Sequence, residues 1–339
     1  MRIVLDAMGS DSHPDPEIQA AIDASERFSD EIILVGPVDI LEPRLKSLGG
    51  ERANIRLVNA PEVLEMTDKP AEKARRKSQN SMAVGMELIG SGEGDAFVTA
   101  GNTGGAMATA LFRLGRIRGV KRPALTALFP VRRGYCVVLD IGANAEVKPE
   151  YLLQFAVMGS VYAEVVQGIH NPKVGLLSNG EEAGKGNELV KAAYPLLQES
   201  GLNFIGNVEG KELFGGQADV VVTDGFTGNI LLKSSEAVAK LITDVLREEL
   251  MGSTRTKVGA LLAKPAFGKI RRMLDPGEVG ALPLLGIDGL VFVGHGRSDA
   301  RALLNAIVGA RKSVERNLLG ALRAAIQERL AKPVVKEEA

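Results

Sequence analysis

The sequence predicts an α/β fold with a mostly parallel central sheet, on three observations. Short apolar runs recur along the chain: "IVLDAMGSD", "AFVTAGNTGG", "VVLDIGAN", "VGLLSNGEEAGKGNE", "VVVTDGFTGN" and "VFVGHGRSD". A strand covered on both faces reads as such a continuous run, not as an alternation. Each run ends in Gly, Asn and Asp, near residues 6, 101, 140, 180, 224 and 294, and "IILVGP" adds a plain strand end at 36. The middle ends are spaced by 39, 40 and 44 residues, room for a strand, a loop and a helix. In open α/β sheets ligands sit outside the carboxyl ends of the strands. Six loops built from backbone N–H groups and small side chains therefore predict one shared site suited to an anion.

Helical patterns fill the gaps. "TGGAMATALFRLG" follows the loop at 101, and "PEYLLQFAVMGSVYAEVVQG" begins with Pro149 at a first helical position. "GNELVKAAYPLLQES" contains Pro195, expected to kink or end its helix. "GNILLKSSEAVAKLITDVLREEL" follows the loop at 224, and residues 299–331 read as one or two amphipathic helices. "NIRLVNAPE" supplies a further strand. No Ser- or Pro-rich linker divides the chain. The expectation is one continuous unit over 1–332, two lobes sharing a sheet between helix layers. Lobe one takes 1–140 plus 300–332, lobe two takes 141–299, and 333–339 is a frayed tail.

Composition excludes several classes. The 339 residues carry a formal charge of −1, so no global basic excess points to nucleic acid. Cys136 is the single cysteine, so no intramolecular disulfide forms, and its apolar run "CVVLD" predicts a core residue. "MRIVLDAMG" is too short for a signal-peptide core, and no run approaches about 18 apolar residues. A cytoplasmic protein is expected. "GEEAGKGNE" has three residues between its glycines and Gly186 after Lys185, so it is not a P-loop, and GxGxxG, HExxH and CxxC are absent. No metal and no cofactor is expected.

Four loops carry candidate chemistry. In "AGNTGG", Gly101, Asn102, Thr103 and Gly104 open a helix, with Thr103 as the expected N-cap; unpaired N–H groups there suit phosphate. The same glycines also suit a plain tight turn. Lys185 stands between Gly184 and Gly186, where a point charge serves a phosphate or an oxyanion, or is simply solvated. Asp224 and Gly225 end a strand, and Asn229 starts a helix, either donating to a carbonyl or capping. His295 lies between glycines with Arg297 and Asp299 near, a candidate substrate contact. Asp6, Asp140, Gly142 and Asn144 complete the loops. Residues 254–274 differ from the rest, with six basic residues and no acidic one. Val258, Leu261, Leu262, Phe267 and Ile270 recur at roughly helical spacing among Lys257, Lys264, Lys269, Arg271 and Arg272. That pattern fits an anionic membrane surface, an acidic protein or a second subunit. Pro265 and Gly268 predict two short helices there.

Taken together, "EMTDKPAEKARRKSQNSM", "AFVTAGNTGGAMATALFRLGRI", "LDIGANAEVKPEYLLQFAVMGSVYAE", "GLLSNGEEAGKGNELVKAAYPLL", "FIGNVEG" and "DGFTGNILLKSSE" resemble the bacterial phosphate acyltransferase family, PlsX, over nearly the whole chain. The resemblance implies a two-lobed fold similar to phosphotransacetylases and isopropylmalate dehydrogenases. It implies transfer of an acyl group from acyl carrier protein to inorganic phosphate, a homodimer, peripheral attachment to the inner face of the membrane, and a place in phosphatidic acid synthesis. Lys185 and Asn229 fall on its motif positions for catalysis. Ser10, Ser12-His13, Ala145-Glu146 and Ser178 depart from its usual wording. Phosphate is anionic at neutral pH and the leaving thiolate has a parent pKa of about 8.5, so direct attack needs no Ser, Cys or general base. Holding phosphate and stabilising the oxyanion remain, tasks expected of the loops at 101 and 180 with Lys185 and Asn229. Two other readings are a nicotinamide-dependent hydroxyacid dehydrogenase of the same fold group, hinted at by Asp219 and Asp224, and a non-catalytic membrane scaffold.

Overall fold

The computed structural model describes residues 1–50, 54–64, 79–132 and 134–330. The apolar runs become strands: β1 (Arg2–Asp6), β2 (Glu31–Gly36), β3 (Ile55–Asn59), β4 (Ala96–Thr99), β5 (Ala124–Pro130), β6 (Tyr135–Leu139), β7 (Val174–Leu177), β8 (Phe204–Val208), β9 (Val220–Val222), β10 (Ala281–Leu285) and β11 (Val291–Gly294). All lie in one sheet, ordered β3-β2-β1-β4-β11-β10-β5-β6-β9-β7-β8.

The sheet holds two parallel groups. β3, β2, β1, β4 and β11 run one way. β6, β9, β7 and β8 are parallel among themselves. Between them β11–β10, β10–β5 and β5–β6 are all antiparallel. Three reversals turn the second group against the first, so the carboxyl ends of the two groups leave by opposite edges. The expected single gathering of six loops is thereby corrected. Loops at 6, 101 and 294 share one rim, and loops at 140, 180 and 224 share the other. An apolar run specifies a strand but not its direction. Residues 281–294, expected with the second lobe, also pair through β11 with β4 of the first group.

Helices cover both faces: α1 (Asp15–Arg27), α2 (Val38–Ser47), α3 (Ser81–Gly90), α4 (Thr103–Arg113), α5 (Pro149–Tyr162), α6 (Glu188–Gln198), α7 (Gly210–Gly215), α8 (Gly225–Met251), α9 (Thr254–Leu274), α10 (Ala300–Glu315) and α11 (Leu318–Leu330). Ile3 and Leu5 join Ile18 of α1, Phe155 of α5 and Ile307 of α10 on one face. Val4 joins Phe97, Met82 of α3 and Ala106 of α4 on the other. Successive strand residues point to opposite faces. Both faces are apolar, which is why the runs are unbroken. On the second face Phe129, Val138 and Val221 pack with Leu213 of α7 and Leu231 and Leu232 of α8.

Pro195 falls in the last turn of α6, which ends at Gln198. The C-terminal pattern resolves into two helices. The expected break in 254–274 is not there: α9 is one helix through Pro265 and Gly268. Proline removes one backbone bond, to the carbonyl of Leu261, and on a helix with no buried residue that carbonyl faces water. The tail 333–339, and residues 65–78 of "EMTDKPAEKARRKSQNSM", lie outside the described residues. Among the described residues, no helix is long and apolar enough to cross a membrane.

Candidate active site

At the first rim, Asp6 is buried at the end of β1. Thr99 Oγ1 donates to its Oδ2 (2.7 Å) and Met8 N to its Oδ1 (3.1 Å). Thr99 Oγ1 accepts in turn from Gly101 N (2.9 Å). Asp6 therefore braces the loop at 101 from inside, which corrects its expected place as a substrate contact. Burial pushes its carboxyl above the usual range. Gly9 and Gly101 touch; a Cβ on Gly9 would lie 2.9 Å from Gly101 N. The cap of α4 is Asn102, whose Oδ1 accepts from Gly105 N (2.9 Å), and not Thr103 as expected. Thr103 is exposed and Gly104 half-buried, at the positive end of the helix dipole. Asp11 N donates to Gly296 O (2.7 Å), tying in the loop that carries His295.

Beneath this rim sits Glu17, fully buried on α1. Its Oε1 accepts from Ser10 N (2.8 Å), while its Oε2 and Ser10 Oγ are buried without partners. Burial, with a smaller push from Asp6, raises its pKa from 4.5 to about 7. The unfolded chain then releases this proton first as pH rises. Stability falls between about 4.5 and 7, by about 3 kcal/mol, and is level above. Glu17→Gln keeps an acceptor for Ser10 N and abolishes the titration. The gap in melting temperature between Glu17→Gln and the wild type is expected to widen in the variant's favour from pH 5 to pH 8. A gap independent of pH would contradict this.

At the second rim, Asp140 is wholly buried after β6. Its Oδ1 accepts from the backbone of Leu125 (3.1 Å), Gly142 (3.1 Å) and Ala143 (2.9 Å). Its Oδ2 accepts from Asn144 N (2.7 Å) and Nδ2 (2.9 Å). Burial pushes this carboxyl up against the pull of those donors. Asn144 also donates to Pro123 O (2.7 Å). Asp224 caps α8, its Oδ1 accepting from Thr227 N (2.8 Å) and its Oδ2 from Thr227 Oγ1 (2.7 Å). All three shape the rim; Asp140 does so wholly buried, which corrects its expected contact with substrate, while Asn144 and Asp224 stay half-exposed. A side chain at a strand end folds back to its own loop because those N–H groups have no other partner. Gly225 fits tightly under Asn144, and Gly225 N donates to Asn144 O (2.8 Å).

Two polar side chains at this rim are left facing solvent. Asn229 lies in the second turn of α8, and with Asp224 as the cap it has no capping task. Its Cβ would lie 3.9 Å from a Cβ on Gly142. Lys185 is exposed and, among the described residues, has no ion-pair partner. Its stem packs on Gly180, where a Cβ would come 2.7 Å from Lys185 Cγ. The loop beneath is fixed by Gly186 N to Asn179 Oδ1 (2.9 Å), Asn207 Nδ2 to Glu182 O (2.8 Å) and Lys211 to Glu181 (3.1 Å). Gly186 adopts φ +96°, open to glycine at little cost, and Gly184 is exposed with nothing near it. β6, β9 and β7 are neighbours in the sheet, so these loops stand side by side.

The two rims are joined by α8. Its Glu236 Oε1 lies 3.4 Å from His295 Nε2 of the first rim. Glu236 and Asn229 are seven residues apart, on one helix face and about 10 Å apart along the axis. Glu236 was not foreseen; the only signal was that spacing. Gly228, pressed on Asp140 O, was missed as well. On α9, Lys257, Lys264, Lys269, Arg271 and Arg272 are exposed beside exposed Val258, Leu261 and Leu262, with Phe267 half-buried. Asp219 accepts from Lys173 N (2.8 Å). Among the described residues, no three His, Cys, Asp or Glu side chains converge as a metal site.

The fold defines a class, the α/β proteins built like the phosphotransacetylases. EutD phosphotransacetylase from Staphylococcus aureus superposes with a TM-score of 0.58 at 18% identity, over 92% of this chain and 94% of that one. The family model described as fatty acid synthesis protein matches residues 1–320. The phosphate acyltransferase of Pelotomaculum thermopropionicum is 47% identical over 328 residues, 96% of this chain and 95% of that protein. That of Elusimicrobium minutum is 46% identical over 329 residues, 97% and 96%. The chain belongs to this family, the PlsX family of phosphate acyltransferases, and is an acyltransferase.

Proposed function

We propose that this protein transfers a fatty acyl group from acyl carrier protein to inorganic phosphate, giving an acyl-phosphate for phosphatidic acid synthesis. The observation that carries the reading is the second rim: Lys185 and Asn229 face solvent beside glycine-rich backbone, with no thiol or imidazole beside them. Cys136 is buried and pushed up to about 12 by that burial, so it is no nucleophile at neutral pH. His13 bonds Ser10 O, His170 faces Glu164 and His295 faces Glu236, all away from this rim. Phosphate attacks the thioester carbonyl directly. Lys185 and the Gly184–Gly186 loop hold phosphate, and Lys185 and Asn229 meet the oxyanion as it forms. The carbon–sulfur bond then breaks and the thiolate departs. Thr103, Gly104 and His295, at the other end of the α8 face, line the path of the acyl chain. The loops at 101 and 180 thus take separate tasks.

The basic, apolar-striped α9 rests on an anionic membrane surface as a peripheral contact, and the exposed apolar residues of α8 pair two copies as a homodimer. Leu261→Glu combined with Leu262→Glu is expected to release the protein from anionic vesicles while soluble turnover is largely kept. Unchanged vesicle sedimentation would count against the membrane contact. The reaction itself is tested by incubating the protein with palmitoyl-carrier protein and following free thiol. Release that depends on phosphate, and needs neither nucleotide nor metal, is expected. No release with phosphate would overturn the reading.

A further inference from the structure

The loop from Gly115 to Pro123, between α4 and β5, reads "GRIRGVKRP" and holds four basic residues and no acidic one. Ile117 and Val120 are buried, at 3% and 4% exposure, while Arg116, Arg118, Lys121 and Arg122 are exposed. The backbone is pinned throughout. Ile117 N donates to Gly286 O (3.0 Å) and Asp288 N to Gly115 O (3.1 Å). Gln154 accepts from Lys121 N (2.8 Å) and donates to Gly119 O (3.2 Å). Arg116 folds onto the carbonyl of Lys121. Among the described residues none of the four cations has an ion-pair partner. Nearby arginines do: Arg113 pairs with Glu87, and Arg323 with Asp288, which removes the one acidic side chain in the adjoining turn. Unpaired cations clustered on a pinned backbone favour an acidic partner.

Position narrows the partner. Pro123 O, at the end of this loop, accepts from Asn144 of the second rim, and Leu125 N donates to Asp140. Gly142 of the same rim abuts Asn229. The basic loop is therefore built into the wall of the rim that carries Lys185 and Asn229. The cations of α9 instead begin beyond the far end of α8, whose 27 residues span about 40 Å, and end beside Asp275, which pairs with Arg301 on the side of the first rim.

We propose that Arg116, Arg118, Lys121 and Arg122 form the docking surface for the acidic protein that delivers the acyl thioester, in place of the basic face of α9. The proposal rests on the reading that the donor is a carrier-protein thioester. Docking by charge at the mouth of the rim sets the encounter, is screened by salt, and leaves the chemical step untouched.

The test compares palmitoyl-carrier protein with a short acyl-pantetheine thioester as donors. Arg118→Glu with Lys121→Glu and Arg122→Glu is expected to raise KM for the carrier substrate at least tenfold. Turnover at saturation and KM for the small thioester should stay within twofold. The neutral set, Gln at the same three positions, should fall between. The salt dependence of the wild-type carrier KM should be lost in the Glu variant. Lys257→Glu with Lys264→Glu and Lys269→Glu should leave the carrier KM unchanged. An unchanged carrier KM in the loop variants overturns the proposal, as does a rise caused by the α9 variant instead. Equal loss with both donors overturns it too, because that is damage to the rim through Asn144. Loss of vesicle binding by the loop variant with carrier KM unaltered would assign the loop to membrane. A wild type that uses only the small thioester removes the premise, a failure distinct from any of these.

Discussion

Replacing Lys185 by alanine is expected to lower turnover on the order of tens-fold to a hundredfold at saturating phosphate. The side chain is exposed and unpaired among the described residues, so its loss leaves no buried group stranded. Melting temperature should therefore stay near the wild type. On the proposed reading, what is removed is a positive charge beside the phosphate and the forming oxyanion, one that favours the transition state over the ground state. Lys185→Arg should recover part of the rate, since charge returns on a different stem. The measurement is thiol release against phosphate concentration. Wild-type turnover in Lys185→Ala would remove this residue from the reaction.

Gly228→Ala is expected to have the largest effect on stability. A Cβ at this position would sit 1.9 Å from the carbonyl oxygen of Asp140 and 2.9 Å from its carbon. Both are backbone atoms that cannot rotate aside, so α8 must lift from the 140–144 loop. The cost is about 3 kcal/mol, read as a fall in melting temperature of several degrees. Asn229 is the next residue and moves with the helix, so on the proposed reading turnover falls as well. Gly259→Ala is the counterpart. It lies within α9, with nothing within 4 Å of its Cβ position. There alanine should raise stability by about 0.5–1 kcal/mol through backbone entropy alone. Equal melting temperatures for the two variants would show that α8 is not seated on Asp140.

Much of this fold was legible because both sheet faces are covered. β1, β4, β6, β7, β9 and β11 stand where unbroken apolar runs stand, and α5 starts at Pro149 as its ring geometry requires. The antiparallel seam was not legible, because "ALTALFP" and "ALPLL" carry no mark of direction. Without the seam, six loops looked like one cradle. Asp6 and Asp140 stand at the expected strand ends, but buried, where they hold their own loops instead of meeting substrate. An Asp before Gly reads as a ligand contact until the N–H groups that need it are counted. Lys185 and Asn229 stand out by residue type and family wording, and both are exposed at the second rim. Glu236 was out of reach, because only the opposed rims bring a mid-helix glutamate to His295.

The place of β11 in the sheet also governs how the chain is made. β4 pairs on one side with β1, already synthesised, but its other neighbour is residues 291–294, about two hundred residues later. At about 5–20 residues per second on the ribosome, that edge waits roughly 10–40 seconds for its partner. An open strand edge of Ala96–Thr99 is a template for any other strand in that interval. The nascent chain therefore carries a sticky seam through most of its synthesis, and only β11, close to the end of the sequence, closes it.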